Sequence, residues 1–115
     1  GVGCISVTAN VAPRFCADLQ NAWIDHDLKK SQEINLKLAK LHDALFIESS
    51  PGPVKYAAEL LNLCSSETRM PLVEIQDSTK KIVKDCLIEL GDPFQPWIYG
   101  CVGFPMQIAV RSTNE

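Results

Sequence analysis

The sequence lacks the features that would direct it to a membrane or to nucleic acid. No apolar run reaches the roughly 20 residues that a membrane-spanning helix needs. With 11 Lys and Arg against 14 Asp and Glu, the net charge is −3, so no basic surface for phosphate groups is indicated. Gly1 opens without the basic and apolar segments of an export signal. We expect neither nucleic acid nor a membrane as a partner.

Signatures of metal sites and disulfide frameworks are also missing. There are five cysteines, an odd number without a C-x-x-C pair, and no N-x-S/T glycosylation site. The two histidines, His26 and His42, lie sixteen residues apart with no Cys or carboxylate at metal-ligand spacing, so we expect them to be solvated or to cap helices. This pattern favours reduced, buried thiols, a cytoplasmic location, and no metal or cofactor. The cysteines are Cys4, Cys16, Cys64, Cys86 and Cys101.

The segment from Cys4 to Val7 predicts a strand. Its residues are small or β-branched and uncharged, as in a strand that is buried on both faces of a parallel sheet. Such a strand needs neighbours, because each buried, unpaired backbone group costs about 1–3 kcal/mol. We therefore expect this segment to belong to a larger fold.

Most of the remaining chain is predicted to be helical. Pro13 suits the first helical position, Asp25 or Asp27 can cap the second helix, Asp77-Ser78 can cap the fourth, and Gly91 can end it. The predicted helices are 14–24, 28–46, one from 53 or 54, and one up to 90. Their predicted inward faces are Phe15, Cys16, Leu19, Ala22 and Trp23; Ile34, Leu38, Leu41 and Leu45; Val54, Ala57, Ala58 and Leu61; Val83, Cys86, Leu87 and Leu90.

The segment 92–115 differs in character. It has three prolines and an apolar run over 97–104 without helical periodicity. We expect irregular structure or a short hairpin, and a tendency to associate unless the run docks on another surface.

Three spaced motifs resemble the C-terminal part of the dihydrodipicolinate synthase family. The family patterns are G-x-I-S-V-T-A-N-V-A-P, L-x-x-L-F-x-E-x-N-P-I-P-V-K and R-L-P-L. Residues 3–13, 41–55 and 69–72 resemble them in the same order, with residues 45–55 aligned on L-F-x-E-x-N-P-I-P-V-K and Arg69-Met70-Pro71-Leu72 on R-L-P-L. Ser50 and Gly52 depart from the second motif, where the family has asparagine and isoleucine, and predict a looser loop. The resemblance covers about residues 1–91, and the tail has no counterpart in it.

The resemblance implies an α/β fold, of which this chain holds the last strand and helix of a (β/α)8 barrel and a C-terminal helical region. A whole barrel takes about 250 residues, so most of the fold would lie upstream. The implied parts are 1–26 as the last β/α unit, 27–91 as the helical region and 92–115 as a tail outside the family pattern, for which a frame change, an extension or a chimeric sequence remain open.

The implied activity is that of a lyase, which condenses pyruvate with aspartate semialdehyde on the route to diaminopimelate and lysine. The family holds pyruvate as a Schiff base on a lysine of the sixth strand, and that lysine would lie upstream. No catalytic residue is therefore expected in this chain, and Lys55 is expected to be a solvent-facing lysine at a helix start. Ile5 and Val7 match the strand that lines the pyruvate pocket. The complete enzyme is expected to be a homo-oligomer.

Two alternatives remain open. One is another pyruvate-dependent aldolase of the N-acetylneuraminate lyase type, since the residues that decide the substrate would lie upstream. The other is a noncatalytic helical remnant that only associates through its apolar faces.

Overall fold

The structure, a computed structural model, describes residues 2–91. This part contains a short 3-10 helix, Thr8–Asn10, followed by four α-helices. They are α1 (Pro13–Ile24), α2 (Leu28–Ala44), α3 (Gly52–Leu60) and α4 (Asp77–Leu90). The prediction of a mostly helical chain is confirmed for these residues. The tail at 92–115 lies outside them, and so does the prediction about it.

Local chemistry explains most of the helix ends. Pro13 occupies the first position of α1, where its missing N–H would have had no partner in the helix. Asp27 caps α2 by accepting a hydrogen bond from the Lys30 N–H at 3.0 Å. Gly91 ends α4 with a φ of 87°, a backbone region that glycine enters without steric cost.

The predicted cap of α4 is wrong. The cap position is Gln76, and no side chain caps the first turn there; Asp77 is instead the first helical residue. Its carboxylate lies 3.7 Å from Lys80 Nζ and at the positive end of the helix dipole. The Glu48 carboxylate accepts a hydrogen bond from the Gln76 N–H at 3.0 Å. This bond connects the start of α4 to the turn after α2.

The core lies where α2 meets its neighbours. α2 packs against α1 and α4, and α3 packs against α4. The predicted inward faces of α2 and α3 are buried: Ile34, Leu38, Leu41 and Leu45; Val54, Ala57, Ala58 and Leu61. In α1 the prediction fails for Trp23, which is 62% exposed. In α4, Val83 and Leu87 are buried, whereas Cys86 and Leu90 are half-buried at the edge of the core.

The predicted strand at Cys4–Val7 is wrong for this structure, because the described residues contain no strand. A strand is stable only when a neighbour pairs its N–H and C=O groups. Residues 2–91 provide no such neighbour, so the segment leaves Ile5 in solvent. The prediction of buried thiols also fails for Cys4 and Cys64, which are exposed, and holds for Cys16.

Two helices end in the same hydrogen-bonded turn. After α1, the Asp27 N–H bonds to the Ala22 carbonyl and the His26 N–H to the Trp23 carbonyl, which is a Schellman motif. After α3, the Leu63 N–H bonds to the Ala58 carbonyl and the Asn62 N–H to the Glu59 carbonyl in the same pattern. His26 and Asn62 both adopt the left-handed conformation, with φ values of 58° and 57°. The side chain of His26 thus occupies a position that favours glycine.

We expect His26→Gly to raise the free energy of unfolding by about 0.5–1 kcal/mol. The left-handed conformation costs a residue with a Cβ atom roughly 1–2 kcal/mol, and the greater freedom of glycine in the unfolded chain offsets part of the gain. Urea denaturation followed by circular dichroism measures the change. His26→Ala is the control, because alanine keeps the Cβ atom; an equal gain in both variants would contradict the conformational explanation.

Candidate active-site segment

The segment that resembles the family's pocket strand, residues 2–12, forms consecutive turns. The Val7 carbonyl accepts from the Asn10 backbone N–H at 3.1 Å and from its side-chain amide at 2.9 Å. The Thr8 carbonyl accepts from the N–H groups of Val11 and Ala12 at 3.1 and 2.9 Å. These bonds make the 3-10 helix that leads into α1. They fix Val7 and the residues after it, while Ile5 precedes the turns.

Thr8 fastens this segment to α2. Its hydroxyl is hydrogen-bonded to His42 Nδ1 at 2.6 Å, across 34 positions of the sequence. Thr8 is 1% exposed and His42 is half-buried, so this bond lies largely away from water. Ala9, Val11 and Ala12 beside it are buried in the core. The end of the segment is therefore held firmly on the helices.

The two predicted pocket residues lie in different surroundings. Ile5 is 84% exposed, whereas Val7 is half-buried and packs against the core. A cavity of about 250 Å³ is lined by α2 and α4 residues, and neither Ile5 nor Val7 borders it. The described part of the chain does not bring Ile5 and Val7 together into a pocket. A substrate pocket at this segment would need walls from other residues.

Cys16 is the buried thiol beneath the segment. Burial raises the pKa of the Cys16 thiol, a hydrogen bond with Ser6 opposes the rise, and the neighbouring Cys4 adds to it. A thiol with a raised pKa stays protonated at neutral pH and is a poor nucleophile. We therefore regard Cys16 as a packing residue.

Lys55 does not point freely into solvent, which corrects the prediction for its side chain. It is half-buried, and its ammonium group donates to the backbone carbonyl of Glu67. This contact ties the connection between α3 and α4 to the first turns of α3. The contact gives Lys55 a structural role in the described residues.

Residues 2–91 contain no group of three or more His, Cys, Asp or Glu side chains positioned to bind a metal ion. None of the helices in this part of the chain is both long enough and apolar enough to cross a bilayer.

The model of the dihydrodipicolinate synthetase family matches residues 1–90. The chain belongs to this family. Among its relatives, the 4-hydroxy-tetrahydrodipicolinate synthase of Rhodospirillum centenum is 50% identical over 91 residues, which are 79% of this chain and 31% of that protein. The enzyme of the same name from Pelagibacter ubique is 53% identical over 91 residues, covering 76% of this chain and 31% of the relative.

Solved structures of the dihydrodipicolinate synthetase family share the fold of this chain. A monomeric dihydrodipicolinate synthase variant superposes with a TM-score of 0.77 at 40% identity, over 79% of this chain and 30% of that one. The enzyme from Thermotoga maritima gives a TM-score of 0.73 at 38% identity, over 75% of this chain and 29% of that one. The chain thus spans just under a third of the length of these relatives.

Gly52 is one position where this family member departs from the motif. A Cβ atom on Gly52 would lie 2.7 Å from Ile75 Cγ2, so the isoleucine of the family motif would require Ile75 to move. The glycine therefore allows the start of α3 to approach the connection before α4 closely. The predicted looseness of this loop stays a prediction.

Sequence reasoning missed the role of His42. It assigned His42 a solvated or capping position, whereas the imidazole holds Thr8. The sequence spacing indicates a partly buried His42, because His42 follows Leu38 by four positions and so lies beside the buried face of α2. A polar residue at the edge of an apolar face often has a buried polar partner.

Proposed function

We propose that this chain is the C-terminal part of a 4-hydroxy-tetrahydrodipicolinate synthase, a lyase that condenses pyruvate with aspartate semialdehyde on the route to diaminopimelate and lysine. The observation that carries the proposal is the match over residues 1–90, with about half of the residues identical to enzymes of this name. The agreement in fold with dihydrodipicolinate synthase structures supports it independently.

In this proposal, residues 1–26 are the last β/α unit of a (β/α)8 barrel and 27–91 are the helical region that follows it. Residues 4–7 become a strand when the upstream chain supplies strands on both sides. The 84% exposure of Ile5 supports this, since an uncharged, apolar segment in water is suited to pairing. Residues 92–115 form a tail beyond the family's pattern.

The division of chemical roles follows from this arrangement. An upstream lysine attacks the pyruvate carbonyl, water leaves, and the resulting Schiff base allows the methyl carbon to form the new bond to the aldehyde. Ile5 and Val7 supply walls of the pyruvate pocket and take no part in proton transfer. Thr8, held by His42, fixes the position of these walls relative to α2.

We further propose a cytoplasmic homo-oligomer that uses no metal or cofactor. The four described cysteines are free thiols, which is typical of a reducing compartment. The exposed apolar side chains of α1 and the residues after it, Trp23, Ile24 and Leu28, suit contacts with the rest of the enzyme or with another subunit.

Trapping of pyruvate with borohydride tests the proposed function. The 115-residue chain is compared with a fusion that places the upstream part of the Rhodospirillum centenum enzyme before Gly1. We expect no adduct on the chain alone and one reduced pyruvate per fusion molecule, on an upstream lysine located by peptide mass mapping. Turnover by the fusion with aspartate semialdehyde, and none with N-acetylmannosamine, is expected for the proposed substrate class.

The controls separate a wrong assignment from a failed fusion. The intact Rhodospirillum centenum enzyme provides the positive reference, and Lys55→Arg in the fusion should leave the adduct unchanged. A stoichiometric adduct on Lys55, or a folded fusion that traps no pyruvate, would contradict the proposal. Turnover with N-acetylmannosamine instead of aspartate semialdehyde would assign the chain to the other aldolase type.

A further inference from the structure

A groove lies between α2 and α4. It has a volume of about 250 Å³ and is lined by Leu36, Lys37, Lys40, Cys86, Glu89 and Leu90. An apolar cavity of about 150 Å³ is large enough to bind benzene, so the groove has room for a large aromatic side chain. We call it the α2–α4 groove.

The α2–α4 groove has apolar walls and a charged edge. Leu36 contributes an apolar side chain that is 73% exposed. Cys86 is half-buried, and its thiol donates to the Lys40 carbonyl at 3.7 Å. The side chains of Lys40 and Glu89 form an ion pair between the two helices. Lys40 and Glu89 therefore balance each other's charge, and the apolar lining from Leu36, Cys86 and Leu90 favours an occupant with apolar side chains.

The groove is next to the place where the family's match ends. Leu90, the last residue of α4, lines the groove and is also the last residue that the family model matches. Twenty-four residues, 92–115, follow Gly91 in the sequence. They carry the apolar run from Trp97 to Phe104. No charged residue occurs from 93 to 110, which suits the lining of the groove.

We propose that residues 97–104 of this chain dock in the α2–α4 groove, with Trp97 inserted beside Leu36 and Cys101 lying beside Cys86. The six Cα–Cα steps from Gly91 to Trp97 can extend about 20 Å, whereas Cys86 and Leu90 are separated by about 6 Å along the helix axis. The tail therefore reaches the whole groove. Its covalent attachment gives it a high effective concentration there, which favours it over a second copy of the chain.

Disulfide trapping tests this docking in the full 115-residue chain. In a Cys4→Ser/Cys64→Ser variant, Cys86 and Cys101 remain with the buried Cys16. Diamide oxidises two neighbouring thiols to a disulfide and takes up the two electrons and two protons released. We expect most chains to form an intramolecular bond between Cys86 and Cys101, identified by peptide mapping, and to lose it in Cys86→Ser and Cys101→Ser.

A matched variant, Cys4→Ser/Cys86→Ser, measures chance encounters of the tail. It keeps Cys101 and the exposed Cys64, which is more accessible than the half-buried Cys86. Burial also raises the pKa of the Cys86 thiol, which slows its chance oxidation. We expect Cys86 to couple with Cys101 at least ten times faster than Cys64 does. Equal or faster coupling of Cys64 would overturn the proposal, and Cys86–Cys101 bonds between two chains would assign the groove to a second copy.

A groove variant provides a second measurement without cysteine chemistry. In a Trp23→Phe chain the tryptophan emission comes from Trp97 alone. Leu36→Asp should release Trp97 into water and move its emission to longer wavelength, whereas Leu28→Asp, an exposed leucine of the same helix outside the groove, should not. The same emission in all three chains would overturn the proposal. Neither measurement requires an upstream barrel, so both are independent of the proposed lyase function.

Discussion

Replacing Leu38 with alanine is expected to lower the free energy of unfolding by about 2–5 kcal/mol. Leu38 is 0% exposed and lies on the face of α2 that meets the other helices. Alanine removes the contacts of the isobutyl group and leaves a cavity, which neighbours such as Leu41 and Val83 fill only in part. Urea denaturation followed by circular dichroism measures the loss as a lower midpoint at an unchanged slope.

Leu28→Ala is the matched control, because it makes the same chemical change at the start of the same helix and lies outside the α2–α4 groove. Leu28 is 56% exposed, so its replacement should change the free energy of unfolding by no more than about 0.5 kcal/mol. Helix propensity favours alanine over leucine only slightly at either site. Equal losses in the two variants would contradict the placement of the core.

Replacing Thr8 with valine is expected to lower the free energy of unfolding by about 1–3 kcal/mol. Valine keeps the shape of threonine but leaves His42 Nδ1 without its partner in a largely buried position, and an unsatisfied polar group costs this amount. A double-mutant cycle with His42→Ala isolates the bond, and we expect a coupling energy of at least about 0.5 kcal/mol.

Thr68→Val serves as the control for the valine substitution. Thr68 is half-buried and its hydroxyl donates to the Leu72 carbonyl at 3.4 Å, a longer bond than that between Thr8 and His42. Its loss should have the smaller effect. Additive effects of Thr8→Val and His42→Ala would show that the bond contributes nothing to stability.

The sequence predicted the helices well because their signals are local. Pro13, Asp27 and Gly91 act on the backbone groups next to them, and the spacing of Ile34, Leu38, Leu41 and Leu45 defines one face of a helix. These signals predicted both ends of α1 to within one residue. The cap of α4 was predicted wrongly. Asp77 lies in the first turn of the helix, where its negative charge interacts favourably with the helix dipole.

The features that could not be predicted depend on distant residues. Whether Cys4–Val7 forms a strand depends on neighbouring strands, which residues 2–91 do not contain. The composition of the segment therefore indicates a high strand propensity but does not decide whether the strand forms. The bond from Thr8 to His42 joins positions 34 apart, and its geometry depends on how α1 packs on α2. The resemblance predicted Ile5 and Val7 to be pocket residues, and this stays a prediction because residues 2–91 do not form that pocket.

The packing of the helices has a consequence for how quickly this part of the chain folds. α1 contacts α2 and α3 contacts α4, so many partners are neighbours along the sequence, whereas the pairings of α2 with α4 and of the 3-10 helix with α3 span longer segments. Proteins with such short-range contacts fold in microseconds to milliseconds, whereas parallel strands must close long loops first and fold more slowly. In the barrel that we propose for the whole protein, we therefore expect these helices to form before the last strand pairs with the sheet.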